Sequence, residues 1–433
     1  MQVFKFGGAS LQDAAGIKNV ATIIKQHQDK NLVIVCSAMG KTTNALEALV
    51  DSFCHKKHTK TAILNELKQY HLAILEQLFP NKNHTVYIAI HQIFSNLELI
   101  VAAEPRHSYN YEYDEIVSSG EFISSTIVSA YLNELNSINT YCDARTLIQT
   151  DTTYRDANIN WARTEAQIKA ILIPYFNTNS DTKAETKMIV TQGFIGATPE
   201  KNTSTLGREG SDYSAAIIAF ALNAESITIW KDVAGVLNAD PKWFDTTSKL
   251  EQLSYQDAIE LAYYGATIIH PKTIKPLENK KIPLYVKSFL NPTASGTKIS
   301  EQQTPLPIPC FIFKINQILI SISPKDFSFI AADNLSFIFN LFATHQVKIN
   351  VIQNSAISFS VSADNEALKI KNVMELLQQK FRVRYNENLE LITIRYYNQA
   401  TIDRVCLGKN ILLEQRSRYT AQLVVEKSVN ENN

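Results

Sequence analysis

Over its first two thirds the chain alternates short runs rich in β-branched and apolar residues with longer segments whose apolar positions recur every three or four residues. Val3–Phe6 is followed by a helical pattern from Asp13 to Gln28 and then by Leu32–Cys36. This alternation predicts a parallel sheet covered by helices, because strands that run the same way need a crossover between them. Further strands are expected at Ser137–Tyr141, Met188–Gln192, Ile227–Trp230 and Leu284–Val286. Between Ser52 and Pro105 the pattern turns wholly helical, as in "TAILNELKQYHLAILEQLF". It reads as a helical subdomain whose apolar stripe serves core packing.

At the N-terminus Met1-Gln2-Val3-Phe4 runs into Lys5-Phe6-Gly7-Gly8-Ala9-Ser10. Adjacent glycines let backbone N–H groups approach anionic oxygens, and Lys5 adds a compact charge, so the loop reads as a phosphate site or as an ordinary strand-to-helix turn. Thr205-Leu206-Gly207-Arg208-Glu209-Gly210-Ser211-Asp212 repeats the theme, with glycines, an arginine, hydroxyls and a carboxylate ahead of an apolar helix. Two such loops imply two ligands. "CSAMGKTTN" (Cys36 to Asn44) ends like a Walker A loop, but Val35 stands where that motif needs its first glycine, so the P-loop reading is excluded.

With 433 residues the chain exceeds one compact core, and two or three domains are expected. Lys plus Arg equals Asp plus Glu at 42 each, so nothing points to nucleic acid or an anionic membrane surface. The five cysteines are scattered, odd in number and without metal-ligand spacing, which fits a reducing cytoplasm. No signal-peptide pattern opens the chain, and no apolar run approaches the ~18 residues a membrane span needs. A soluble cytoplasmic protein is expected.

The segments "KFGGAS", "SSGEF", "GFIG" followed by "TSTLGREGSDYSAA", and "ELAYYGATIIHPKT" occur in one order and resemble the signatures of the aspartate kinases over essentially the whole chain. The resemblance implies a three-layer αβα amino-acid-kinase fold with a mostly parallel sheet, followed by α+β tandem ACT regulatory domains. It implies a catalytic domain over 1–295 with the helical subdomain at about 52–105, a linker over 296–309, and tandem interleaved ACT domains over 310–433. The implied reaction moves the γ-phosphoryl of ATP, carried with Mg2+, to the side-chain carboxylate of L-aspartate. That nucleophile is ionised at neutral pH, its ordinary pKa being ~3.9, so no general base is needed. Catalysis then rests on positioning, cations and backbone donors.

Carried over by resemblance, Lys5 bridges β- and γ-phosphate oxygens while Gly7 and Gly8 supply backbone donors. Arg208 clamps an aspartate carboxylate, for which its planar fork is suited. Glu121 faces the substrate side, Ser37 and Thr43 offer hydroxyls to aspartate, and Ser211 lies with Asp212 at a helix start that favours an anion. Three roles are open to Asp212: capping the helix, orienting Lys5, or placing magnesium. The nucleotide segment takes in Lys231, Asp232, Leu237 and Lys242. It departs from the family at Lys231, where threonine is frequent, at Leu237, where an aromatic is, and at Lys242, where arginine is. Thr267 stands where many members carry a nucleotide-contacting lysine. Glu209 replaces a commoner glycine, which should weaken anion binding unless its carboxylate points away. His270, between an apolar run and Pro271, reads as structural.

After Ser288 the stretch "NPTASGTKISEQQTPLPIPC" loses periodicity and reads as a linker or edge segment. Beyond it two β-strands, a helix, two strands and a helix are followed by a shorter copy with a terminal hairpin. This resembles tandem ACT modules in which one is built from pieces before and after the other, the lone strand at Phe311–Lys314 supplying the early piece. The second copy lacks a final helix. In lysine-inhibited relatives an aspartate meets the effector ammonium where this chain has Asn350; Asn354 and Ser355 are further candidate contacts. Lysine or threonine is the effector implied, with a homodimer through the ACT domains. The length leaves no room for the homoserine dehydrogenase of bifunctional relatives. The competing functions are a kinase of another acid and a catalytically silent amino-acid sensor on the same fold.

Overall fold

The computed structural model describes residues 1–177, 187–266, 269–302, 308–326 and 328–426. They form two compact units: the first takes the described residues of Met1–Val236, Lys249–Ile259 and Ile268–Thr304, the second those of Leu237–Ser248, Glu260–Thr267 and Pro305–Asn433.

In chain order the elements of the first unit are β1 (Gln2–Phe6), α1 (Ala14–Lys25), β2 (Leu32–Cys36), α2 (Thr42–Cys54), α3 (Lys60–Leu78), α4 (Thr85–Ala102), α5 (Tyr109–Val117), α6 (Ser119–Glu134), β3 (Asn139–Cys142) and α7 (Trp161–Asn177). They continue with β4 (Met188–Gln192), β5 (Ile195–Ala197), β6 (Thr203–Thr205), α8 (Gly210–Leu222), β7 (Ser226–Lys231), β8 (Gln252–Ser254), α9 (Tyr255–Tyr264), α10 (Pro271–Lys280), β9 (Leu284–Ser288) and β10 (Thr297–Ser300). Helix α9 ends in residues of the second unit.

Among the described residues the sheet has the order β3-β4-β2-β1-β7-β9-β10-β8, and every pair but β9–β10 is parallel. Residues alternate between its faces. Phe4, Phe6, Ile34, Cys36, Val190 and Trp230 pack with the apolar side of α1 and with α6. The Phe6 and Trp230 rings stack at 6.0 Å, each such side chain contributing ~1.5–3 kcal/mol by burial. The buried helix α8 packs on β1, β2 and β7 and is flanked by α7 and α10.

The expected helical region holds the end of α2 and the whole of α3 and α4, whose inner faces (Leu67, Ile74, Ile90, Phe94, Leu97) join the same core cluster as the sheet. One expectation needs correcting: α4 has 18 residues and, by length and composition, is apolar enough to cross a membrane. Its buried Val86, Tyr87, Ile90, Phe94, Leu97 and Val101 instead serve the core of this unit. A second difference is β10, inside the stretch read as a linker. There Thr297 and Ile299 are buried, and the segment pairs with both β9 and β8.

The second unit contains β11 (Cys310–Pro324), α11 (Ala332–Thr344), β12 (Ile349–Asn354), β13 (Phe359–Asp364), α12 (Ala367–Lys380), β14 (Phe381–Arg395), α13 (Gln399–Cys406), β15 (Ile411–Arg416) and β16 (Thr420–Glu426). Its antiparallel sheet runs β12-β13-β11-β14-β16-β15. The two strands expected directly after the linker are one strand, bent where the register shifts between Lys314 and Gln317 and where Asn316 takes a left-handed φ of 54°. β14 is equally long, so each of these strands serves both copies of the repeat. The later half of β11 pairs with β13, the later half of β14 with β16, and the early half of β11 closes the second copy across β14. Separate apolar clusters fill the two copies, one around Ile320, Phe342, Val361 and Leu377, the other around Phe311, Ile394, Ile402 and Leu423.

Candidate active site

Parallel strands end on one edge of a sheet, and the loops there converge. At that edge of the first unit lies a cavity of about 550 Å³ lined by Lys5, Gly8, Ser37, Thr43, Glu121, Arg208, Ser211, Asp212 and Lys231, nine of the residues expected from sequence. β1 delivers Lys5 and the glycine loop, β2 leads into Ser37, and β7 ends at Lys231. Gly8 is required by close packing: a Cβ there would lie 2.9 Å from Gly40 O and 3.0 Å from Ala38 O. Gly40 N–H donates to Gly8 O at 3.0 Å, locking the two loops together.

Asp212, buried in the first turn of α8, receives two cations. Lys5 Nζ lies 2.6 Å from Oδ1 and Lys231 Nζ 3.6 Å from Oδ2. Burial alone would raise this carboxyl, but the charges of Lys5 and Lys231 outweigh it and hold the group below the usual carboxylate range. Its ion pairs hold the Lys5 ammonium in place at the end of β1. The first-turn N–H groups of α8 have no intrahelical acceptors, so an anion is favoured at the same point.

Glu121, in the first turn of α6 and 3% exposed, accepts from Ala38 N–H at 3.3 Å through Oε1, while Oε2 has no hydrogen-bond partner. Burial pushes its carboxyl up to about 8, with Lys5 pulling the other way. A buried carboxylate oxygen without a donor, facing a cavity, is a ready acceptor for a ligand ammonium.

Glu209 takes a left-handed φ of 53°, the conformation that explains a glycine in this loop elsewhere. Its Oε2 accepts from His270 N–H at 2.8 Å. His270 caps α10, its Nδ1 accepting from Lys272 N–H at 3.2 Å, which is a structural role.

Gly7 does not line the cavity, although a Cβ on it would lie 3.4 Å from Lys5 Nζ. Asp232 is exposed outside the lining. Leu237 and Lys242 belong to the second unit, the latter exposed with its N–H on Asp240 Oδ1 at 2.9 Å. Thr267 lies outside the described residues. In the second unit Asn350 is committed: Oδ1 accepts from Lys314 Nζ at 2.7 Å, and Nδ2 donates to Gln317 Oε1 and Asp364 Oδ1, each at 2.8 Å. Asn354 and Ser355 are exposed, the Ser355 hydroxyl lying 2.6 Å from that of Ser358. The cavity also holds Glu47, Tyr113, Arg155 and Phe194, which sequence reasoning missed. Tyr113 and Glu47 lie on helices without a motif, and "DTTYRD" around Arg155 has neither glycine nor periodicity to mark it.

A sheet whose carboxyl edge presents a glycine loop, paired lysines on a buried carboxylate and a helix N-terminus defines a phosphoryl-transfer site. The profile of the amino acid kinase family matches residues 1–288, and the chain belongs to that family. Among curated relatives, lysine-sensitive aspartokinase 3 of Escherichia coli K12 is 27% identical over 401 residues, covering 90% of this chain and 86% of its own. Aspartokinase 2, chloroplastic, of Arabidopsis thaliana is 31% identical over 378 residues, covering 84% and 66%. The crystal structure of E. coli aspartokinase III with aspartate and ADP superposes with a TM-score of 0.81 at 26% identity, over 98% of this chain and 96% of that one. The same enzyme with lysine and aspartate gives 0.80, again at 26% and over 98% and 96%. Within its family the chain falls among the aspartate kinases.

Proposed function

We propose that the protein transfers the γ-phosphoryl group of ATP to the side-chain carboxylate of L-aspartate, giving 4-phospho-L-aspartate, the first step toward lysine, threonine and methionine. The observation that carries this reading is the convergence of Lys5, Asp212 and Lys231 with Arg208 and Glu121 in one cavity. Two anions must meet for the reaction, and the lysines and α8 N-terminus offset their repulsion. Lys5, fixed by Asp212, follows the migrating phosphoryl group. Arg208 holds a substrate carboxylate, Glu121 takes the substrate ammonium, and Ser37, Thr43 and Ser211 add hydroxyls. Gly7 and Gly8 give backbone donors to the phosphates, and Lys231, Asp232, Leu237, Lys242 and Thr267 are the proposed nucleotide contacts. Mg2+ is proposed to arrive on the phosphates of the nucleotide. Among the described residues no cluster of three or more His, Cys, Asp or Glu side chains that could hold a metal is found.

The test is ATP-dependent acyl phosphate formation trapped with hydroxylamine, comparing L-aspartate, L-glutamate and N-acetyl-L-glutamate. Turnover with aspartate alone is expected. Preference for another acid would overturn the substrate, and silence with all three would favour a sensor.

The second unit is proposed to bind an amino-acid effector, lysine or threonine, at or near Asn350, Asn354 and Ser355, and to join two chains as a homodimer in the cytoplasm. The lysine complex of the E. coli enzyme supports this reading. An effector ammonium entering at Asn350 must displace Lys314 from its Oδ1.

A further inference from the structure

Two arginines line the active-site cavity, and only Arg208 belongs to a motif. Arg155 comes from the loop before α7, and that loop touches the one carrying Arg208. Ala157 N–H donates to Thr205 O at 3.0 Å, and a Cβ on Gly207 would lie 3.3 Å from Arg155 O. Buried Asp114 ties the loops from below, accepting from Arg155 N–H at 3.0 and 3.1 Å, from Thr205 N–H at 2.8 Å and from its hydroxyl at 2.6 Å.

Two like charges on adjoining loops repel unless an anion balances them. The neighbouring carboxylates are committed elsewhere: Asp156 pairs with Lys272, Glu209 accepts from His270 N–H, and Glu47 accepts from Tyr113 Oη–H at 2.7 Å. Among the described residues neither guanidinium forms an ion pair. Arg155 also has a left-handed φ of 71°, where any residue but glycine is strained. Its guanidinium lies over the rings of Tyr113 and Tyr109, 4.5 and 5.6 Å from their centroids. Stacking fixes the guanidinium plane and leaves its edge donors available to a planar anion.

We propose that Arg155 and Arg208 together hold the unreacting carboxylate of the acidic amino acid, and that Arg155 sets the affinity for that substrate. This rests on the aspartate kinase reading. The test is steady-state kinetics of Arg155→Gly and Arg155→Lys with full-length protein. Arg155→Gly relieves the left-handed strain while losing the ring stacking, two effects of similar size and opposite sign, so its melting temperature should stay within a few degrees of that of the unaltered protein. Its KM for aspartate should rise roughly tenfold or more, the worth of a charged hydrogen bond. KM for ATP and kcat at saturating aspartate should stay within about threefold, with Arg155→Lys between the two. An unchanged aspartate KM in Arg155→Gly, or an equal rise in both KM values, overturns the inference alone if the unaltered protein phosphorylates aspartate. No turnover of aspartate by the unaltered protein would remove the kinase reading and this inference together.

Discussion

Lys5 and Lys231 share one carboxylate unequally, at 2.6 and 3.6 Å, and Lys5 makes the closer pair. Lys5→Ala should therefore lower kcat by ~10²–10³-fold in the hydroxylamine assay, as loss of one transition-state donor does elsewhere. A loss of less than about tenfold would remove Lys5 from the transition state. Glu121 carries a pH signature. Its carboxyl stands at about 8 through burial, so the empty site is protonated at neutral pH and must release that proton to accept an ammonium. KM for aspartate should fall by up to ~10-fold per pH unit as pH rises toward 8, and then level off. Below the ordinary glutamate range both folded and unfolded chains hold the proton. Between there and about 8 only the folded chain does, so stability drops as pH rises through that window. Glu121→Gln should abolish that part of the pH dependence in thermal melts. A slope unchanged in the variant would show that another group titrates.

At the scale of elements, the site depends on loops packed backbone to backbone at the carboxyl edge of the sheet. Gly8→Ala drives a methyl against two carbonyl oxygens that cannot turn away. We expect ~1–3 kcal/mol of lost stability and a raised KM for ATP, read from denaturant unfolding and initial rates. Retained ATP affinity would mean that the loop does not hold phosphate. The glycine loops, Arg208, Glu121 and the strands of the parallel sheet were legible because glycine, charge and apolar runs mark them directly. Arg155 was not, since its left-handed backbone and its place above Tyr113 arise only when α5 meets the loop before α7. The early half of β14, "FRVRYNEN", escaped notice because its inward alternation is short, Phe381 and Val383 alone, before a run of exposed residues. It is a strand because β11 offers it a paired edge. Likewise β10 follows from tertiary pairing in a stretch of weak local preference.

At the scale of the molecule, the polar network of Lys314, Asn350, Gln317 and Asp364 sits where β11 passes from one copy of the repeat to the other. Burial and the charge of Lys348 hold the Lys314 ammonium below its ordinary range, so it is an amine already partly estranged from water. Lys314→Ala frees Asn350 Oδ1, and the expected result is stronger inhibition by L-lysine, with the half-inhibiting concentration roughly tenfold lower. Identical lysine titrations for the variant and the unaltered protein would exclude Asn350 as the effector's partner.

The strand crossing of the second unit also bears on how the chain is made. Cys310–Lys314 leaves the ribosome well before its partner segment Leu391–Arg395, and the whole first copy lies between them. The enclosed copy can form while synthesis continues, whereas the enclosing one must await the last stretch of polypeptide. Premature termination anywhere after the first copy would therefore strand an unpaired β-edge at Cys310–Lys314, a feature that quality-control machinery and neighbouring chains alike can seize.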